Sequence, residues 1–144
     1  MLKHLDPLLT PELLHVLAAM GHGDELVIVD ANFPAVSTAQ RLIRLDGVSA
    51  TRALQAVLSL LPLDDFVDSP AAVMQVVGEP ETVPEIVQEF RRLANAAEGK
   101  EINFAAIERS KFYERARAAF AVAVTGETRL YGNVILKKGI IRSV

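Results

Sequence analysis

Several short apolar runs in this chain are continuous rather than alternating: LVIV at 26–29, AAVM at 71–74, FAVAV at 120–124 and VIL at 134–136. A strand that is apolar on both sides must be buried on both faces, which is the condition of a parallel or mixed sheet covered by helices. The segments between these runs carry helical spacing. Thr10-Pro11-Glu12 supplies a hydroxyl cap, a first-turn proline and an acidic residue; Leu13, Leu14, Leu17 and Met20 then share one face until Gly21, a C-cap candidate. Ser49 can cap a helix whose Ala53, Leu54, Val57, Leu58 and Leu61 form a stripe that Pro62 ends. Thr82 and Glu85 have capping-box spacing ahead of a helix burying Ile86, Phe90 and Leu93, with 95–100 as its polar exit. Ser110 is the cap candidate for a last helix over 111–119.

Strands are expected over 25–29, 41–45, 71–77, 101–107, 120–124 and 133–137, the last broken by Gly139. Residues 78–84 and 125–132 read as loops. This alternation sets the class as α/β, with a mainly parallel or mixed sheet covered by helices. A chain of 144 residues with no internal repeat or linker reads as a single domain over 1–144.

Composition removes several functions. A net charge of -3 with scattered Lys and Arg offers no stripe for a phosphate backbone, so nucleic acid is not an expected partner. The absence of Cys excludes disulfides and thiolate chemistry and permits a reducing compartment. No segment has the length of a membrane span or the pattern of a secretory leader, so the expectation is a cytoplasmic protein without a membrane partner. An apolar fraction of 51% in a small chain leaves surface for contact between copies, which points to a homo-oligomer.

Six residues carry candidate chemistry. His22 lies between two glycines just before a strand, where its ring would be exposed; imidazole alone has an unperturbed pKa near ~6.5, suited to proton transfer at neutral pH. The same residues also read as a helix cap and a turn. Asp30 and Asn32 stand at a strand's carboxyl end, where open α/β sheets bind ligands, although an Asp-to-Pro turn has the same composition. Tyr131 and Asn133 are two apart at the start of a strand, so they would project to one side, offering a phenol and an amide to hydroxyl groups, as a sugar requires. Arg109 precedes a helix, where the dipole disfavours a cation; it is either kept for a ligand or simply solvated. Lys137 and Lys138 read as solvated strand-end residues, and Arg115 with Arg117 as a charged helix surface. No metal site is expected, because His4, His15 and His22 form no i,i+4 pair and no Cys supports them. No phosphate loop and no Gly-x-Ser-x-Gly elbow occur, and Ser37 and Ser110 have turn or cap roles, so neither a phosphate cradle nor a covalent intermediate is expected.

Together, GHGDELVIVDANFP at 21–34, KFYERARAAFAVAVTGE at 111–127 and YGNVILKKG at 131–139 resemble the L-fucose mutarotase family, within the wider group that includes D-ribose pyranase. The likeness runs from LTPELLHVLAAMGHGDE to LKKG, nearly the whole chain. GHGD and DANFP favour the fucose branch over ribose-type members, which usually carry GHTD-like and DAGLP-like versions. The resemblance implies a ribose pyranase-like α/β subunit in a ring-like oligomer, typically a decamer, with sugar sites near subunit boundaries. It implies His22 as catalytic proton donor, and sugar contacts from Asp30, Arg109, Tyr131, Gly132 and Asn133. Asp30 would either orient His22 or hold a hydroxyl, and Phe33 could meet the methyl group that separates fucose from ribose. The expected activity is cofactor-free interconversion of the α and β anomers of L-fucose or a related free monosaccharide. Pyranose–furanose interconversion of D-ribose and a non-catalytic sugar-binding or transport-associated module are the alternatives.

Overall fold

Thr10 starts the first helix: its Oγ1 accepts the Leu13 N–H at 3.2 Å and Pro11 takes the first helical position, so α1 spans Pro11–Ala19. The structure is a computed structural model and describes residues 1–143. The strands are β1 (Glu25–Val29), β2 (Leu42–Leu45), β3 (Ala71–Met74), β4 (Phe104–Ile107), β5 (Ala121–Thr125) and β6 (Val134–Lys137). They form one sheet in the order β2-β5-β1-β6-β3-β4. Pairings β1–β5, β2–β5 and β3–β4 are parallel, whereas β6 runs antiparallel to both β1 and β3. The carboxyl ends of five strands therefore share one edge of the sheet with the start of β6. That edge gathers the loops that follow β1, β3 and β4.

The continuous apolar runs have the cause expected of them. In β1, Leu26 and Ile28 enter one core and Val27 and Val29 the other, and all four are fully buried. The first core packs α1, α3 (Ala50–Leu58) and α4 (Glu85–Glu98) on one face through Leu13, Leu54, Ile86 and Phe90. The second packs α2 (Ala35–Thr38) and α5 (Arg109–Ala118) on the other through Ala35, Phe112 and Ala116. Ser49 caps α3, its hydroxyl accepting the Arg52 N–H at 3.1 Å. Among the described residues no helix is long and apolar enough to cross a membrane.

Several boundaries differ from the sequence expectation, each for a local reason. Gly21 is not the C-cap of α1. Met20 ends the helix in an extended conformation, and the last carbonyls are taken by Lys138, whose Nζ donates to Leu17 O at 2.8 Å and Met20 O at 2.6 Å. Lys138 is thus a helix cap and not a solvated strand end. Gly23, at φ +88°, makes the turn into β1. Thr82 forms no capping box: its N–H donates to Glu79 O in the preceding turn, and Pro84 occupies the cap position of α4. That helix runs through the polar stretch after Asn95 and stops at Gly99, where φ is +69°. β3 ends at Met74 because the chain folds back over the Val76–Glu79 bridge through Gly78. Ser110 lies inside α5, its hydroxyl donating to Glu108 Oε1, and Arg109 is the helix's first residue. Arg115 pairs with Glu25 at the start of β1 instead of standing free.

Candidate active site

The β1–β6 register Ile28↔Val134, continued outward, brings the residues after β1 beside those before β6. Asp30 and Asn133 are accordingly neighbours, and the Asp30 N–H donates to Asn133 Oδ1 at 2.8 Å. That bond fixes the amide, leaving Asn133 Nδ2 free to donate outward. Tyr131 reaches the same place by a turn and not by strand alternation: it lies before β6 with φ +63°. Its hydroxyl accepts the Val77 N–H at 3.0 Å, so its own proton remains available to a ligand. Arg109, at the head of α5, lies over the Tyr113 ring at 5.2 Å and forms no ion pair among the described residues.

These groups open on a cavity of about 250 Å³ at the carboxyl edge, with Phe33, Met74 and Leu130 as its apolar wall. A wider cavity of about 590 Å³, reaching Gln75 and Glu108, adjoins it across Arg109 and Tyr113. Phe33 packs on Phe112 and Tyr113, with ring centroids 6.0 and 5.2 Å away, which holds the wall rigid. Asp30 is 5% exposed and takes the Asn32 N–H on Oδ1 at 3.0 Å. Burial pushes its pKa above the ordinary carboxylate value, outweighing the amides of Asn32, Phe33 and Gly132 and the Asn133 side chain, which act in the opposite direction. The cavity thus offers three oriented donors beside one carboxyl of raised basicity. Such a set suits a polyol and a proton transfer.

His22 is elsewhere. It stands at the amino end of β1, and the strand's five residues, roughly 17 Å at ~3.3 Å per residue, separate it from the cavity. One chain therefore brings together Asp30, Arg109, Tyr131, Gly132 and Asn133 but leaves His22 at the opposite edge. There its Nε2 lies 3.0 Å from Asp64 Oδ1, and its ring packs against Phe66 with centroids 5.2 Å apart. Asp64 is 4% exposed and also accepts the Phe66 N–H at 3.1 Å. Burial opposes its charge, but the Phe66 amide, His22 and Lys137 together hold its pKa below the ordinary carboxylate value. An ionised Asp64 can only accept, so the proton between the two groups belongs to Nε2 and Nδ1 faces outward. The group that orients His22 within this chain is thus Asp64 and not Asp30. Sequence reasoning missed Asp64: the doublet Asp64-Asp65 after a proline was its only signal, and its partner lies 42 residues away. Among the described residues no group of three or more His, Asp or Glu could hold a metal ion.

Residues 3–141 match the RbsD / FucU transport protein family. The human fucose mutarotase (Homo sapiens) is 51% identical over 146 residues, covering 97% of this chain and 94% of that protein. The crystal structure of the fucose mutarotase from Streptococcus pneumoniae, in complex with L-fucose, superposes with a TM-score of 0.88 at 43% identity, covering 98% of this chain and 100% of the other. RbsD from Bacillus subtilis, complexed with D-ribose, shares the fold at a TM-score of 0.73 with 22% identity, covering 99% of this chain and 100% of that one.

Proposed function

Because this chain belongs to the RbsD / FucU transport protein family, we propose that it is a mutarotase interconverting the α and β anomers of free L-fucose. The observation that carries the reading is the carboxyl-edge cavity, where Asn133 Nδ2, the Tyr131 hydroxyl and Arg109 all present donors beside the buried carboxyl of Asp30. A pyranose needs several hydroxyls held at once and no compensating charge, and this set supplies that. Phe33, Met74 and Leu130 give the apolar wall for the C5 methyl of fucose.

Mutarotation needs two proton movements. A proton goes to the ring oxygen as the bond from C1 to that oxygen breaks, and one leaves the anomeric hydroxyl as the C1 carbonyl forms. The open-chain aldehyde turns about the C1–C2 bond and recloses, with both transfers reversed. His22 delivers the ring proton from Nδ1, the nitrogen that Asp64 leaves free, and the ionised Asp64 stabilises the imidazolium that precedes the transfer. Asp30 holds a sugar hydroxyl and is the second proton-transfer group. No cofactor enters this scheme.

Since His22 and the cavity stand at opposite edges of one chain, this reading takes His22 from a second copy. Exposed apolar residues flank both half-sites: Phe66 against His22, Val77 and Leu130 at the cavity. Two different patches in contact make a head-to-tail interface, which forms a ring where the rotation between copies closes. The proposal is therefore a cytoplasmic homo-oligomer with shared sites, and ten subunits is the count that the family resemblance implies.

NMR saturation transfer between the anomeric protons of L-fucose at equilibrium tests the reading. Added protein should accelerate exchange for L-fucose more than for D-ribose. Unchanged exchange for fucose would overturn the activity, and a faster ribose reaction would overturn the substrate.

A further inference from the structure

We propose that Glu127, clamped by Arg129, is a positioning residue for the sugar-contacting segment 131–133, an inference that rests on the mutarotase reading. Glu127 is 4% exposed and does not line the cavity, yet it is charged and fully bonded. Its Oε1 accepts the Ala50 N–H at the head of α3 at 3.2 Å, and its Oε2 accepts the Arg129 N–H at 3.2 Å. The Arg129 guanidinium donates to both oxygens, at 3.1 and 3.0 Å, and its other end is held by Glu89 on α4. Burial opposes the charge, but Arg129 and the Ala50 amide keep the carboxyl below its ordinary pKa.

The stem of this side chain lies against Gly132. A Cβ at position 132 would stand 2.9 Å from Glu127 Cγ, 2.9 Å from Ile86 Cδ1 and 3.3 Å from Arg129 O, so the backbone of the segment is pressed onto Glu127. On one side of Gly132 is Tyr131, held at φ +63°, a conformation a tyrosine keeps only where its surroundings over-determine it. On the other is Asn133, bonded to the Asp30 N–H. The Glu127 carbonyl also accepts the Ala31 N–H at 2.9 Å, tying the same residue to the turn after Asp30. Glu127 thus touches both chain segments that frame the sugar site without facing the sugar. An apolar side chain would fill this volume with less desolvation; a carboxylate with fixed partners adds direction, which a binding segment held in a strained backbone requires.

The test compares Glu127→Gln, which keeps the shape and removes the buried charge, and Arg129→Gln, which leaves that charge unpaired, with the wild-type protein. Exchange of L-fucose anomers is measured for kcat and KM, together with melting temperature and hydrogen exchange of the Val77 amide by mass spectrometry. If the clamp positions the segment, both variants raise the KM for L-fucose, Glu127→Gln by roughly tenfold or more, while the Val77 amide exchanges faster because Tyr131 no longer protects it. If the pair serves stability alone, the melting temperature falls while KM, kcat and Val77 protection match the wild type, and the inference is overturned. A wild type without exchange activity would sink the mutarotase reading instead, and Val77 protection would then decide the clamp by itself.

Discussion

At the scale of single residues, His22 and Asp30 make opposite demands on stability and function. Replacing His22 with Asn keeps a polar side chain on a half-exposed turn but takes the imidazole away from the buried Asp64, so the fold should still form with a loss of about 1–3 kcal/mol. If His22 is the proton donor, the anomeric exchange rate should nevertheless fall by roughly 10²-fold or more. Saturation transfer and a thermal melt on the same sample check both halves. Asp30 carries a raised pKa, so its charged form is less favourable in the folded than in the unfolded chain. Below the ordinary carboxylate value near ~3.9 both states are protonated and nothing is lost; as pH rises through the raised value, the buried charge costs stability. Asp30→Asn should therefore melt at or above the wild type at neutral pH, with the advantage shrinking as pH falls toward ~4, while exchange is impaired. A variant less stable than the wild type at pH 7 would contradict this burial effect. Asp30 and Asn133 were legible as candidates because a strand end and a strand start advertise themselves locally, whereas Tyr131 is placed by a turn at φ +63° and Arg109 by the head of α5. Asp64 was not legible, since its meaning lies in a contact that crosses 42 residues.

At the scale of elements, the caps show where local signals suffice. Thr10 and Ser49 cap as their sequences propose, because each hydroxyl reaches an amide of its own first turn, Leu13 in α1 and Arg52 in α3. Thr82 fails because the turn before α4 claims it, and Gly21 fails because a distant lysine satisfies α1. Gly139 was legible only as the end of β6. Its further role is a close approach: a Cβ there would lie 2.6 Å from Leu63 O and 2.8 Å from Asp64 Cα, and its N–H donates to Pro62 O at 2.8 Å. Gly139→Ala must therefore push the 62–64 segment off β6, carrying Asp64 with it. The expected result is a loss of about 1–3 kcal/mol in stability, together with slower anomeric exchange. Denaturant unfolding and saturation transfer measure the two effects, and a fully stable, fully active variant would refute the coupling.

At the scale of the whole molecule, the α/β class followed from continuous apolar runs, but the central antiparallel strand did not. The run at β6 looks like any other buried strand, and its direction is set by the loop from Thr125 to Asn133, which begins and ends at the same edge of the sheet. That reversal is what brings Asn133 beside Asp30. The same topology sends His22 to the far edge, so the proposed site, with His22 as its proton donor, would be completed by a second copy, and light scattering after size exclusion should then give a mass several times the 15.6 kDa chain. Subunit mixing tests the shared site most directly. His22→Asn and Asp30→Asn chains, each impaired alone, are co-expressed in equal amounts and their L-fucose exchange is measured. If His22 and Asp30 of one working site come from different copies, about one quarter of the sites in the mixed oligomer pair two wild-type halves, and exchange should recover to about that fraction of the wild-type rate. Mixed oligomers as inactive as either parent would contradict a site built between subunits.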